Sequence, residues 1–351
     1  MTEQPRAPVT IYDVAKAAGV APSTVSRTFA RPGRVNADTA ARVRQAAEEL
    51  GYRVNQIQQG PATMKTRLIG VMVSDVANPF YSQLIRGTQR AATEVGYEIL
   101  LADSRESGTR ERAALERLIP VVEGFIIGSS RMSDSALRTI AKQRPMVALN
   151  RALADVPSVV TDNVGGVRAA VELLRELGHD DVCYVAGPEA SWPDGVRFRA
   201  LRDLGPPVGL SVHRIGPVLP TFEGGLGAAR TLLERRVTAV IGYNDLVAVG
   251  VMHGLLQAGV RIPEQVSVIG FDDILISRLM LPTLTTIAAP LRQMGSTAVT
   301  NLVAMINGAR SRASDPMTMP VQLKVRGSTG QRSLNRVSPA LGTTSVSGSA
   351  S

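Results

Sequence analysis

The sequence contains few of the residues on which disulfide-bonded, metal-binding and membrane-spanning proteins depend. One cysteine, Cys183, occurs among 351 residues, so no disulfide can form within the chain. The three histidines are far apart, and none has the spacing of a zinc site. No apolar run reaches the roughly eighteen residues that a membrane helix needs. These absences predict a protein without an internal disulfide, a bound metal or a membrane span.

The common motifs of nucleotide-binding and hydrolytic enzymes are also missing. The chain has no GxxxxGK[ST] phosphate loop and no GxSxG nucleophile elbow. The glycines of GGLGAA, residues 224–229, fall early in a helical pattern and not between a strand and a helix, so we interpret them as structural. His179 follows a glycine typical of a helix end, which favours a capping or surface role, and Cys183 is interpreted as a core residue. The sequence therefore predicts no cofactor and does not favour an enzyme.

A basic segment at the N-terminus is what the chain does have. The first 67 residues contain ten Arg or Lys and five Asp or Glu, in a chain whose net charge is +9. Concentrated positive charge suits a phosphate backbone, although a merely well-solvated segment has the same composition. The opening residues MTEQPRAPVT lack the apolar core of a secretory signal. With the single cysteine, this predicts a cytoplasmic protein.

The basic segment begins with the pattern of two helices around a glycine. Thr10 and Asp13 have the spacing of a capping box, which predicts a helix over residues 11–18. Gly19 suits a tight turn, because glycine reaches backbone angles that other residues avoid. A proline then opens a second predicted helix, residues 22–29. Helix, glycine turn and helix is the layout of a DNA-reading helix-turn-helix, although short helical hairpins also occur without DNA binding.

A third helix and a linker complete the N-terminal part. Asn36 is predicted to cap a helix that extends to about Leu50. We therefore assign residues 1–54 to an all-α helix-turn-helix domain. Residues 55–66 follow as a linker.

From Leu68 onward, apolar strands alternate with amphipathic helices, which predicts parallel sheets covered on both faces. So many strand–helix units exceed one core and favour two doubly wound α/β lobes within residues 67–327. The polar, small residues 328–351 predict a disordered tail. The boundaries expected are 67–161 with 291–320 for lobe 1, and 162–290 with 321–327 for lobe 2.

A series of motifs, in order along the chain, is typical of one known family. They are VTIYDVAKAAGVAPSTVSR, ELGYRVN, SDVANPFYSQLIRG, VPSVVTDNVGG, LGHDDVCYVAGP, GYNDLVAVGVMHGLLQAGVRIPEQVSVIGFDDI and LTTIAAP. They resemble the lactose-repressor/galactose-repressor family of bacterial transcription regulators, from about Val9 to Val325. The resemblance implies an operator-binding N-terminal domain. It also implies a core like that of periplasmic sugar-binding proteins, with a small effector between the lobes.

The resemblance implies that base-reading side chains lie on the second helix. Arg27 is the best reader, since a guanidinium can contact guanine through two hydrogen bonds. Other positions suit phosphates, which position the protein but do not specify a sequence. Among them, Thr24 and Ser26 have the alternative of a capping or surface role. The DNA-binding residues expected from this domain are Tyr12, Pro22, Ser23, Thr24, Ser26, Arg27 and Asn36.

Polar and aromatic residues at predicted strand ends are the candidate effector ligands. In a two-lobed α/β fold, ligands bind beyond the carboxyl ends of the strands, and the family places its effector there. Asp162 could instead cap the following helix, and Phe80 could be a core residue. Asp272 and Asp273 are interpreted as structural. The effector-binding residues expected are Phe80, Asn150, Arg151, Asp162, Trp192, Arg197, Phe222 and Asp245.

The linker departs from the family. At the position where the family has a leucine that enters the minor groove, this chain has Pro61, preceded by Gly60. Proline cannot sit inside a helix and disfavours helix for the residue before it, so the hinge helix of the family is not expected to continue beyond Gln59. Asn55, Ile57 and Pro61 are the DNA contacts expected from this segment.

These observations predict an effector-controlled transcriptional regulator that binds double-stranded operator DNA as a homodimeric repressor. A dimer fits because two-fold proteins read inverted-repeat operators. A solute-binding protein for transport is the first alternative, and the basic helical domain counts against it. An α/β enzyme is the second, and the missing catalytic motifs count against it.

Overall fold

A computed structural model describes residues 9–30, 33–50, 52, 65–235, 237–309 and 315–332. The chain forms two compact units that divide between Thr66 and Arg67.

The N-terminal unit has three helices, α1 (Ile11–Ala18), α2 (Pro22–Ala30) and α3 (Ala37–Glu49). The backbone amide and the hydroxyl of Thr10 donate to the Asp13 carboxylate at 2.8 and 2.6 Å, as the capping-box spacing predicts. Gly19 ends α1 with a φ of 66°, a left-handed conformation that favours glycine. One apolar side of each helix faces a small shared core. Its buried residues are Val14, Ala15, Val25, Val43, Ala46 and Ala47.

Two six-stranded sheets form the second unit, one in each lobe. Lobe 1 contains β1 (Leu68–Val73), β2 (Glu98–Asp103), β3 (Gly124–Gly128), β4 (Met146–Leu149), β5 (Ser158–Thr161) and β11 (Met317–Met319). Lobe 2 contains β6 (Asp181–Val185), β7 (Ser211–Ile215), β8 (Ala239–Gly242), β9 (Ser267–Phe271), β10 (Thr285–Ala288) and β12 (Gln322–Lys324).

Both sheets have the same doubly wound order. The strands follow β2-β1-β3-β4-β5-β11 in lobe 1 and β7-β6-β8-β9-β10-β12 in lobe 2. All pairings are parallel except that of β12 with β10. The order reverses beside β1 in lobe 1 and beside β6 in lobe 2. Such reversals create crevices at the carboxyl ends of the strands, where α/β proteins bind ligands.

Helices cover both faces of each sheet. Lobe 1 has α4 (Pro79–Glu94), α5 (Gly108–Leu118), α6 (Asp134–Ala141) and α12 (Leu291–Ile306). Lobe 2 has α7 (Asn163–Glu176), α8 (Trp192–Leu204), α9 (Phe222–Leu233), α10 (Asp245–Gln257), the short α11 (Ile276–Leu279) and a 3-10 turn, Pro206–Val208. The predicted fold class, a helical N-terminal domain with two doubly wound α/β lobes, is confirmed.

The chain passes between the lobes three times, after β5, after β10 and between β11 and β12. The second crossing brings α12 against α4 in the core of lobe 1. Gly87 on α4 and Gly295 on α12 allow this approach, because a side chain on either glycine would meet backbone atoms of the other helix.

The segment after β12 is ordered at its start. The hydroxyl of Ser328 accepts a hydrogen bond from the Thr285 amide at 2.8 Å and donates to the Val268 carbonyl at 2.6 Å. The Gly330 carbonyl oxygen lies 3.3 Å from Nε2 of His179, which is buried. The prediction of a disordered tail is therefore wrong for residues 328–332, and a surface role for His179 is wrong as well. Residues 333–351 lie outside the described residues.

Candidate functional site

The predicted DNA-reading side chains lie on or beside α2. Ser23 and Arg27 are exposed, whereas Val25 is fully buried and fixes the helix against the small core. Pro22, Thr24 and Ser26 are half-buried. Arg27 therefore has a long, exposed donor on the side of α2 away from the core, as base reading requires.

Residues outside α2 supply further exposed polar groups. Tyr12 on α1 is 70% exposed. The side-chain oxygen of Asn36 accepts the Asp38 amide at 2.9 Å and caps α3, so its amide NH₂ is the group left for a phosphate. Asn55, Ile57 and Pro61 lie outside the described residues. Contact of these side chains with DNA stays a prediction.

A cleft in the second unit runs between the carboxyl ends of the two sheets. It consists of two adjoining cavities of about 310 and 240 Å³. Phe80, Arg197 and Asp272 line both of them. The larger is further lined by Asn78, Tyr81, Glu106, Ser129, Arg131, Asn150, Pro220, Tyr243 and Asn244. The smaller is further lined by Thr161, Asp162, Asn163, Phe271, Ile287, Ala289 and Val321. Both lobes contribute polar side chains to the cleft.

Arg197 on α8 is a buried donor in the wall of the cleft, held by two hydrogen bonds. Only 4% of the residue is exposed. Nε donates to the Asn163 side-chain oxygen at 2.7 Å, and Nη1 donates to the Tyr243 carbonyl at 2.5 Å. The sequence-based expectation placed Arg197 at the effector site, and the structure places it in the wall of both cavities.

Three other predicted ligands also line the cleft. Phe80, at the start of α4, is buried and meets the Tyr81 ring edge-on at 5.0 Å between centroids. Asn150 follows β4 in a left-handed conformation with φ of 54°; its side chain donates to the Ser129 hydroxyl and accepts from the Thr161 hydroxyl. Asp162 accepts the Gly165 amide at 2.8 Å, so it caps α7 and lines the smaller cavity at the same time.

Asp245 is a correction to the predicted site. It is fully buried and lines neither cavity. Its carboxylate accepts the Thr286 hydroxyl at 2.5 Å and the Ile274 amide at 2.9 Å. Burial, with repulsion from Asp272, raises the pKa of Asp245 well above its ordinary value. Asp245 joins the start of α10 to the segments around β9 and β10, which is a structural role.

Arg151, Trp192 and Phe222 are corrected too. The Arg151 guanidinium donates to the carbonyls of Ser130 and Met132 at 3.0 and 2.8 Å and to Asp134 at 2.5 Å, so it braces the loop after β3. Phe222 packs against His253 on the next helix, with 5.3 Å between the ring centroids. Trp192 is half-buried at the start of α8. The lining of the two cavities includes none of these three residues.

Asp272 is a cleft residue that the sequence analysis assigned to structure. It follows β9 with a φ of 113° and lines both cavities. Burial raises the pKa of Asp272 to about 7, although the nearby Arg197 guanidinium favours the ionised form. Asp273 does have a structural role, since its carboxylate accepts Arg278 and Arg326 at 2.6 and 2.5 Å. Adjacent carboxylates thus have different roles because only one faces the cleft.

Glu106 and Arg131 in lobe 1 were also missed. Both lie in loops after strands, β2 and β3, and both line the larger cavity. Because both residues lie in loops, neither a helical nor a strand periodicity in the sequence indicates which way their side chains face. A charged residue just after a predicted strand was the available clue, and the same clue selected Arg151, which lines neither cavity.

Comparison with known proteins identifies both parts of the chain. Residues 10–55 match the family described as bacterial regulatory proteins, lacI family. Residues 171–329 match the periplasmic binding protein-like domain.

Relatives and solved structures match over most of their length. The HTH-type transcriptional regulator GalS of Salmonella typhimurium is 36% identical over 300 residues, 83% of this chain and 88% of the relative. The HTH-type transcriptional repressor CytR of Escherichia coli is 33% identical over 91% of this chain and 96% of its own length. A Lac repressor dimer bound to operator and an anti-inducer superimposes with a TM-score of 0.69 and 28% identity, covering 92% of this chain and 100% of that chain.

A helix-turn-helix unit, followed by two α/β lobes with a polar cleft between them, defines a DNA-binding transcriptional regulator controlled by a small effector. The chain belongs to the lacI family of bacterial regulatory proteins. This decides between the regulator and a transport protein without DNA function, in favour of the regulator. Among the described residues, no helix is long and apolar enough to cross a membrane.

Proposed function

We propose that the effector is an uncharged, hydroxyl-rich molecule about the size of a monosaccharide. The observation that carries this is the charge balance of the cleft. Arg131 and Arg197 face it together with Glu106, Asp272 and Asp162, two cations with three carboxyl groups, of which Asp162 already accepts the Gly165 amide. Hydroxyl groups donate and accept, so they can bond both kinds of side chain, whereas a charged ligand would meet a group of its own sign.

The size and shape of the cleft favour the same class. The cleft consists of two small adjoining cavities that share Phe80, Arg197 and Asp272, which suits a small ligand in contact with these three residues. The Phe80 ring supplies an apolar surface for the C–H face of a sugar ring. Solved relatives of similar fold are described as complexes with cellobiose and with ribose, at TM-scores of 0.67 and 0.68.

Binding between the lobes provides the means of control. A ligand held by Arg131 of lobe 1 and Arg197 of lobe 2 favours the arrangement in which both reach it. Operator DNA favours one arrangement of the DNA-binding domains. Each ligand alters the affinity for the other only through its different affinity for these states.

We propose that the functional form is a homodimer and that it represses transcription. An apolar patch around α11 supports the dimer, since Leu275, Leu279 and Leu281 are 67%, 67% and 85% exposed. Neighbouring exposed leucines on one surface are typical of a protein interface. Sedimentation velocity of Leu279→Asp and Leu281→Asp should show monomers, and a dimer of unchanged stability would place the interface elsewhere.

A thermal-shift screen tests the effector class. D-Ribose, D-xylulose, D-galactose, D-glucose and cellobiose should include a compound that raises the melting temperature, because a ligand stabilises the state it binds. The same compound should change the affinity for operator. D-Galacturonate and D-glucuronate belong in the same screen, and if these charged sugars alone stabilise the protein, the proposed class is wrong.

A further inference from the structure

Arg131 and Glu106 form an ion pair in the wall of the larger cavity, and the sequence analysis predicted neither of them as an effector ligand. Nε of Arg131 donates to Oε2 of Glu106 at 2.6 Å, and the two side chains are 5% and 18% exposed. Nη1 of Arg131 donates to the Ser129 carbonyl at 2.9 Å, and its backbone amide donates to Glu111 at 2.9 Å. Both residues belong to lobe 1, so the pair is already formed whatever the position of lobe 2.

Stability does not explain such a pair. Taking two charges out of water costs about as much as their attraction returns, and apolar residues of similar volume often serve as well. The backbone at the site is also strained, with φ values of 48° at Arg105, 58° at Glu106 and 50° at Ser129. Non-glycine residues in this conformation are often found where a ligand must be held. The pair is therefore better explained by what it presents to the cavity.

Each member of the pair retains a hydrogen-bonding group. Within the described part of the chain, no residue accepts from Nη2 of Arg131 and none donates to Oε1 of Glu106. Neither of these two atoms is among the fully buried polar atoms that lack a hydrogen-bond partner. A donor and an acceptor thus lie side by side in the wall of the cavity. Two neighbouring hydroxyls of a sugar match this pattern, since one can accept from the guanidinium while the other donates to the carboxylate.

We propose that Glu106 and Arg131 are specificity-determining residues that bind neighbouring hydroxyls of the effector and exclude its acidic analogues. The assignment rests on the proposed uncharged effector. Where the C6 hydroxyl is one of the two, a uronic acid would place its carboxylate beside Glu106, and Arg131 could not compensate because it is already paired with Glu106. Removing the charge of Glu106 would free Arg131 to pair with that carboxylate.

Glu106→Gln tests the assignment, with Asp134→Asn as the matched control. Asp134 is the carboxylate partner of Arg151 in the same lobe, and neither residue lines the cleft. Both substitutions preserve side-chain size and remove one negative charge from an arginine pair. Calorimetric titration would give the affinity of each full-length protein for D-galactose, D-galacturonate, D-glucose and D-glucuronate. Operator binding without sugar reports that each variant is folded.

We expect the wild-type protein to prefer a neutral sugar to its uronate, and Glu106→Gln to reduce that preference about 10- to 100-fold. Asp134→Asn should leave the preference unchanged. If a neutral sugar binds all three proteins with the same preference, the pair only braces the loop and the assignment is wrong while the effector class stands. If the wild-type protein binds the uronates and neither neutral sugar, the effector class is wrong and the assignment falls with it.

Discussion

The guanidinium of Arg197 lies over the ring of Phe271, with 4.0 Å between Cζ and the ring centroid. A cation over an aromatic face is favourable, and more so where water is excluded. Arg197 comes from α8, whereas Phe271 ends β9, so the contact joins the helix to the strand that precedes Asp272. The Arg197 side chain is therefore fixed before any ligand arrives, which lowers the entropic cost of binding.

Arg197→Ala should abolish the effector response while leaving effector-free operator binding nearly intact. The variant loses a charge-assisted donor in the cleft, which should weaken effector binding about 10- to 100-fold. Fluorescence anisotropy of labelled operator, with and without effector, measures both properties. Arg214→Ala is the control, because Arg214 also lies over an aromatic ring, Phe198 at 5.0 Å, and does not line the cleft. Loss of operator affinity in folded Arg197→Ala would contradict the separation of the two sites.

Asp272 should make the stability of the ligand-free protein depend on pH. Its folded-state pKa of about 7 lies above the ordinary value of 3.8, so the folded protein holds the proton more tightly. The stabilising contribution is complete below about pH 4 and is lost as the pH rises through 7. The free energy of unfolding should therefore fall between pH 5 and about pH 8 in wild type, and fall less in Asp272→Asn.

The neighbouring residue Asp273 should have the opposite effect on the pH dependence of stability. Burial acts to raise the pKa of Asp273, but hydrogen bonds from Arg278 and Arg326 outweigh it and the pKa is lowered. Its contribution is present above about pH 4 and is lost as the pH falls further. Urea denaturation across pH gives the unfolding free energy of each variant relative to wild type. This difference should change with pH in opposite directions for Asp272→Asn and Asp273→Asn. If it changes in the same direction for both variants, the assignment of Asp272 is wrong.

Asp245→Ala should destabilise the fold. The substitution leaves the Thr286 hydroxyl and the Ile274 amide without their buried acceptor, which should cost about 2–4 kcal/mol of unfolding free energy. Chemical denaturation measures the loss. At a temperature where the variant is still folded, effector affinity should remain within a few-fold of wild type. A selective loss of effector binding with unchanged stability would restore Asp245 to the site.

Strands and helices with a regular apolar pattern could be predicted from the sequence. An edge strand and a helix with buried charged residues lack such a pattern. β1, β3 and β8 are continuous apolar runs because helices cover both faces of the sheet. The edge strand β7, SVHRI, has no such run, because only Ile215 of its five residues is buried and three of the others are polar or charged. Helix α8, WPDGVRFRALRDL, does not show a regular amphipathic period, because Asp194 and Arg197 are charged and yet buried.

The cleft was harder to predict than the fold because a charged residue after a strand can face either way. Asp245 and Asp272 are both carboxylates at strand ends, and the sequence analysis exchanged their roles. The difference lies in tertiary contacts: Thr286 and the Ile274 amide occupy the Asp245 carboxylate, whereas Asp272 is left facing Arg197. In lobe 1, Arg151 is likewise occupied by the loop after β3, whereas Arg131 lines the larger cavity. No periodicity encodes these choices.

Arg27→Ala should weaken operator binding more than binding to random DNA. If the guanidinium contacts guanine through two hydrogen bonds, the loss at the operator is about 1–3 kcal/mol. Random DNA presents the same phosphates, so the loss there should be smaller. Competition binding at a fixed salt concentration measures both affinities. Equal losses would mean that Arg27 contacts only phosphate.

Gly60→Ala combined with Pro61→Leu should strengthen both operator binding and the effector response. These positions lie outside the described residues, and the prediction depends on the sequence. Gly-Pro disfavours a continuous helix, so fewer residues order on DNA and the DNA-binding domain is tied less rigidly to the core. Coupling between effector and operator should then be near the low end of about 1–3 kcal/mol.

The outcome depends on what Pro61 itself does at the operator. Proline is an apolar residue that can enter between base steps of the minor groove, and Ile57 is the other apolar residue available nearby. If Pro61 makes that contact from an extended linker, the double variant gains a helix but loses an apolar contact with the minor groove. Operator affinity with and without effector, measured for wild type and the double variant, separates the cases. A rise in both quantities supports the helical linker, whereas no change or a loss of both shows that the Gly-Pro linker is itself the functional form.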